Sequence, residues 1–258
     1  MLTKRIAKQL NRRNWATGLI ELLLIVLGVF IGLQVDNWNQ SRIERETVKT
    51  YYDRLIVDLR FNEQGLQSRM DYYRQVQAHG EAVLESLGHL NEDMAEQIIV
   101  DAYQASQVWQ IGVNRATYTE ILSVGAMGTI PDLEARERLT NYYVAFDAMM
   151  PQILDQSAYR ETLRTYLPLE IQRRMNSECG DQIVLGPNGA ITDTLPDICE
   201  LNLDKKYAVS TASMIIGAPD FALQLNRRLS DIDLRLSILG RNKQRSSDLA
   251  DYLEQTRP

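Results

Sequence analysis

The run Trp15–Val35, WATGLIELLLIVLGVFIGLQV, constrains this chain more than any other stretch. It is 21 residues long, holds no proline and carries a single charge, Glu21. At about 1.5 Å per helical residue it spans about 30 Å, the thickness of the hydrocarbon core of a bilayer. A cleaved signal peptide has a shorter apolar region followed by a small-x-small site. Here the run leads into Gln34-Val35-Asp36-Asn37-Trp38-Asn39, which offers none. The expected element is an uncleaved signal anchor over residues 15–35, with Trp15 and Trp38 as interfacial anchors.

The flanks set its direction. Lys4, Arg5, Lys8, Arg12 and Arg13 precede the run with no acid among them. On the other side Arg42, Arg45 and Lys49 are diluted by Asp36, Glu44 and Glu46. Basic flanks stay on the cytoplasmic side, so residues 1–14 read as a cytoplasmic tail and residues 36–258 as an exported region. Setting aside the five tail cations and Glu21 leaves 23 basic and 33 acidic residues, a formal charge of −10. Nucleic-acid phosphates need a basic face, so nucleic acid is not an expected partner. Acidic surface of this kind serves solubility.

Cys179 and Cys199 both fall in the exported region, and an oxidising compartment pairs such cysteines. Between them Ile183-Val184-Leu185 and Ala190-Ile191-Thr192 flank Gly186-Pro187-Asn188-Gly189, the pattern of a short hairpin. Closing this loop stabilises by about 3 kcal/mol on chain-entropy grounds. Two separate buried thiols are the alternative. No His or further Cys lies nearby to make a metal site.

The rest of the exported region reads as helix. Val48, Tyr52, Leu55, Leu59, Asn62, Leu66, Met70, Tyr73, Val76, Gly80, Val83 and Leu87 follow steps of three and four. They predict one stripe on a stalk helix over 36–87, with a coiled-coil-like seam on which Asn62 fixes register. Residues 88–258 are expected to complete a helical bundle. In it Asn91 caps a second helix of about 15 residues, and a third covers Ala116 to Val124. A fourth starts at Pro131, uses Leu133, Leu139, Tyr142, Tyr143, Phe146, Met149, Met150, Ile153 and Leu154, and kinks at Pro151. A last helix starts at Pro219 and weakens near Gly240. The expected fold class is all-α: a transmembrane helix, a helical stalk and an extracytoplasmic bundle with one disulfide-stapled hairpin. The Tyr51-Tyr52, Tyr72-Tyr73 and Tyr142-Tyr143 pairs are expected to pack helices with their hydroxyls at the rim.

Catalytic motifs are missing. His79 and His89 lie ten residues apart without metal-ligand spacing, and both are expected at the surface. No GxSxG, HExxH, CxxC or phosphate-cradling glycine loop occurs. No enzyme activity, cofactor or metal is therefore expected. The membrane run is more telling. Gly28 and Gly32 form a GxxxG, which lets helix backbones approach closely. Glu21 lies seven and eleven residues before them, within about 20° of the same face at 100° per residue. A carboxyl about 9 Å inside the apolar span costs on the order of 1–3 kcal/mol against lipid, so it should face a partner helix.

Gly18-Leu-Ile-Glu21, the apolar run through Gly28 and Gly32, and Leu33-Gln-Val-Asp-Asn-Trp-Asn39 together resemble the anchor of a bacterial membrane-protein family. That family is classed as a domain of unknown function. Its members have a short basic N-terminus, a Gly-Glu in the anchor, a Leu-Gln-x-Asn-Asn-Trp-Asn exit and a helical domain. Ala116-Thr-Tyr-Thr-Glu-Ile-Leu-Ser-Val-Gly125 and Leu133 to Tyr143 are similar to its second recurring block. This chain has Leu19-Ile20 before Glu21 and Asp36 for the first Asn of the exit. The resemblance implies a single-pass inner-membrane protein with a periplasmic domain, and brings no activity, ligand or catalytic residue. The function expected is that of an interaction or assembly subunit. It would meet the bilayer and either a second copy or another membrane protein through Glu21, Gly28, Gly32 and the proximal stripe. The alternatives are an envelope ligand sensor and a proton-linked subunit using Glu21.

Overall fold

A stripe of large apolar residues at helical spacing, uninterrupted by proline, is consistent with one helix, α1 (Arg12–Ser86). The computed structural model describes residues 12–110, 112–153, 157–185 and 191–258. The basic tail before Arg12, the turn at Gly186–Gly189 and Leu154 lie outside them. The chain divides into two compact units, one up to Tyr51 and one over Tyr52–Arg257.

In the second unit α1 is followed by α2 (Ala95–Ala105), α3 (Ala116–Ser123), a 3-10 turn (Ala126–Thr129) and α4 (Leu133–Ile153). Then come α5 (Ala158–Tyr166), α6 (Leu169–Glu178), α7 (Lys205–Ile216) and α8 (Phe221–Thr256). Strands β1 (Gln182–Leu185) and β2 (Ile191–Thr194) pair antiparallel, with Gln182 opposite Thr194 and Leu185 opposite Ile191. The fold is all-α apart from this hairpin. Cys179 and Cys199 are joined across its base, Cα atoms 5.4 Å apart.

Ten of the twelve stripe positions are buried, and the other two, Met70 and Leu87, are half-buried. From Tyr52 onward their cover comes from this chain. Arg257 reaches Asp53, Arg60 reaches Asp251 and Glu254, Lys243 reaches Gln67, and Gln77 reaches Asp233. As the number on α1 rises, the number on α8 falls in step, so the two helices run antiparallel. At about 1.5 Å per residue they stay in register over about 36 Å between Asp53 and Gln77. Gly80 allows close approach to α8, since a Cβ there would lie 2.7 Å from Leu229 Cδ2.

Helix α2 is buried nearly all round, which places it inside the unit. It packs against α7, while α4 and α5 pack against α8. The face of α7 is Ala208, Thr211, Ala212 and Ile215, three small residues and one large one at i, i+3, i+4, i+7. Its start is set by Asp204, whose carboxylate accepts from the Lys206 and Tyr207 amides.

Several expectations are corrected. Asn91 closes a turn, accepting from the Asp93 and Met94 amides, and the second helix starts later, at Ala95, and ends at Ala105. Leu133 is exposed, because the fourth helix turns its first residue outward. The last helix does not weaken at Gly240. It continues to Thr256 and buries Leu249, Ala250 and Leu253. The spacing rules did not anticipate α5, α6 or α7.

Candidate functional site

The first unit is the described part of α1 up to Tyr51, and its apolar residues are exposed from Leu19 to Val35. With a mean hydropathy of 2.4 over its best window, this helix is long and apolar enough to cross a membrane. Trp15 and Trp38 are each 64% exposed and stand about 35 Å apart along the helix axis. That spacing matches the two interfaces of a bilayer, where indole rings settle.

Glu21, Gly28 and Gly32 lie on uninterrupted helix and are exposed. Ideal helical geometry puts them on one face, Glu21 about 10 Å from Gly28 along the axis and the glycines about 6 Å apart. A Cβ at Gly28 or Gly32 would meet nothing within 4 Å. Among the described residues nothing requires glycine at either position, and the face is open. The disulfide occupies a different place, tying the end of α6 to the segment before α7. There Cys179 is fully buried and Cys199 half-buried.

The polar side chains of the second unit mostly hold structure. Three arginines converge on the carbonyl end of α2. Arg160 donates to Ser106 O at 2.6 Å and Arg228, 1% exposed, to Gln107 O at 2.8 Å, while Arg164 stacks 3.7 Å over Tyr103. Cations suit the negative end of a helix dipole. Glu96 accepts from the Leu201, Asn202 and Leu203 amides and so fixes the segment after Cys199. Arg115 holds the Asp147 carboxyl below its ordinary range, and Arg54 does the same for Glu120. Burial pushes the Tyr72 hydroxyl up, reinforced by Asp181. The tyrosine pairs pack helices, but their hydroxyls do not all reach the rim: Tyr52 OH is buried, Tyr142 OH donates to Ser246 inside, and Tyr73 OH donates to Trp109 O and accepts from Arg235.

One constellation was not anticipated. His79, expected at the surface, is half-buried, with Nδ1 2.7 Å from Asp101 Oδ1. Gln97 donates to the same oxygen at 2.9 Å. His79 and Gln104 line a cavity of about 250 Å³ closed by the segment Pro196–Glu200. No spacing rule links residues on two helices 22 positions apart. Only the i, i+4 pair Gln97–Asp101 was legible in principle. His89 is exposed as expected. Among the described residues no group of three or more His, Cys, Asp or Glu is placed to hold a metal ion.

Comparison with family models, with curated proteins and with solved structures finds no match.

Proposed function

We propose that this chain is a single-pass bacterial inner-membrane protein that acts without catalysis, as an assembly subunit. Its N-terminus lies in the cytoplasm and residues 36–258 lie in the periplasm. Its membrane helix meets a partner helix through Glu21, Gly28 and Gly32. The observation that carries this reading is the open face itself: a carboxyl and two glycines that no other described residue covers. In lipid a carboxyl gains from a partner that pairs it or shares its proton, and glycines gain from a backbone brought close. The Cys179–Cys199 bridge supports the oxidising side for the helical domain.

The coiled-coil-like stripe has no part in this contact beyond Tyr52, because α8 and its neighbours occupy it. Assembly therefore rests on the membrane segment. Cross-linking in native membranes tests the reading. Glu21→Leu and Gly28→Ile should each reduce the cross-linked product, whether it is a second copy or another protein. Unchanged cross-linking in both variants refutes it. A proton-linked role makes a separate demand: Glu21→Gln would abolish activity in the cell while leaving the cross-link intact.

A further inference from the structure

The hairpin between the two cysteines stands with one edge free. Its second strand is the one held to the body of the unit. Gln75 of α1 donates to the Thr194 hydroxyl and accepts from the Leu195 amide, both at 3.0 Å. Strand β1 pairs with β2 and, among the described residues, with no other strand. Its Ile183, Val184 and Leu185 are 71%, 50% and 72% exposed. Successive strand residues point to opposite faces, so both faces of β1 are open along with its outer edge.

A two-stranded ribbon is marginal by itself, and an apolar edge is a template for a further strand. Proteins blunt such edges with lysine, proline or a bulge. Gln182–Leu185 carries no charge and no proline, and its register with β2 is continuous. Acids flank the run at Asp181 and Asp193, in a region whose formal charge beyond residue 35 is −10. The uncharged strand is therefore a place where two such acidic domains touch without opposing carboxylates.

The strand itself selects the occupant. Residues directly opposite in an antiparallel pair share a face, so two copies of β1 related by a two-fold axis meet centred on a residue. Centring on Ile183 sets Asp181 opposite Leu185 of the second copy, twice. Centring on Val184 sets Val184 opposite Val184 and Ile183 opposite Leu185, so all three pairs are apolar. We propose that β1 docks the same strand of a second copy, joining two hairpins into a four-stranded sheet centred on Val184. The pairing rests on the membrane anchor proposed above. Identical anchors hold the hairpins of two copies at one height over one bilayer. They also supply the effective concentration that strands of four residues need, since the contact is far smaller than a stable soluble interface. It does not use Glu21, Gly28 or Gly32, and it stands if that face meets another protein.

Oxidative cross-linking of the full chain in native membranes tests it, with one cysteine added at a time. Val184→Cys should give a disulfide-linked dimer, because directly opposite Cβ atoms lie about 4.5–5.5 Å apart. Ile183→Cys meets its own copy only on the diagonal, at about 7–8 Å, and should give several-fold less. Leu223→Cys on α8, 71% exposed, reports random collision and should also give several-fold less. Adding Ile183→Lys to Val184→Cys sets a charge opposite Leu185 and should cut the dimer several-fold. All these positions are exposed, so urea midpoints should match the wild type. The proposal is overturned by a Val184→Cys dimer no stronger than that of Leu223→Cys, or by equal dimer from Ile183→Cys. Capture of Val184→Cys by another protein in place of a second copy overturns it too. The Glu21 and Gly28 variants are compared again in the Ile183→Lys background, where strand pairing is blocked, so that failure of either reading is seen separately.

Discussion

Replacing Asn62 by leucine is expected to destabilise the helical domain by about 1–3 kcal/mol. The sign is the informative part. In a coiled-coil seam, a buried asparagine fixes register at a cost in stability, so leucine would stabilise. Here Asn62 does something else. Its Nδ2 donates to Asn114 O at 2.8 Å, and its Oδ1 accepts from the Asn114 amide at 2.6 Å. It thus satisfies both backbone groups of a residue in the irregular segment between α2 and α3. Asn114 in turn donates through Nδ2 to Asp58 at 2.8 Å, and Asp58 accepts from the Thr117 amide in the first turn of α3.

Leucine removes both bonds and sets methyl groups against an amide and a carbonyl, the carbonyl keeping only the longer bond from the Tyr143 hydroxyl at 3.4 Å. A buried backbone group deprived of its partner costs about 1–3 kcal/mol, and the half-buried position of this segment favours the lower end, giving about 2–4 for the two. Apolar burial of the new side chain returns at most about 1.5 kcal/mol at so polar a site. Urea unfolding of the full chain in detergent, followed by near-ultraviolet circular dichroism, measures the difference as a shift in midpoint at constant slope. Asn62→Ala should lose more than Asn62→Leu, because nothing is returned. A midpoint for Asn62→Leu equal to or above that of the wild type would falsify the account.

Breaking the Cys179–Cys199 bridge, by reduction or by the paired change to alanine, should cost about 3 kcal/mol in the same urea assay; no midpoint shift would mean the loop is held by Glu96 alone. Asp132 accepts from the Tyr252 hydroxyl at 2.7 Å and from the Glu134 amide at 2.9 Å, and these bonds hold its carboxyl below the ordinary range. With the folded pKa below the unfolded one, the stabilisation is present above the ordinary Asp value and is lost as pH falls through the folded value. The advantage of the wild type over Asp132→Asn, measured by thermal unfolding across a pH series, should therefore be full at neutral pH and shrink as pH falls below the ordinary Asp value of about 3.9. The same contact pushes the Tyr252 hydroxyl up to about 12. Gly80→Ala gains about 1 kcal/mol of helix propensity but drives a methyl into Leu229, a conflict worth about 1–3 kcal/mol, so a net loss in urea midpoint is expected.

What could be read ahead of the structure followed side-chain size. Tyr52, Leu55, Leu59 and Val76 are large and apolar at helical spacing, and their stripe gave the buried face of α1 almost residue for residue. The cysteine pair and its hairpin were equally legible, because Cys, Gly and Pro carry conformational meaning by themselves. Helix α7 was not, since its buried face is Ala208, Thr211 and Ala212, whose contribution is close approach to α2 and not apolar bulk. Its one local signal was Asp204, a cap in front of Lys-Lys-Tyr.

The candidate sites divide along the same line. Glu21, Gly28 and Gly32 share a face through helical periodicity alone, so sequence was enough to bring them together. His79 and Asp101 are brought together by the packing of α1 on α2. The edge of β1 stands between these cases. Ile183-Val184-Leu185 was legible as one side of a hairpin, but three apolar residues in a row read equally well as a strand covered by its own domain. What distinguishes β1 is that its partner β2, through Thr194, is the strand held to α1, a property of the assembled fold that no spacing along the chain encodes.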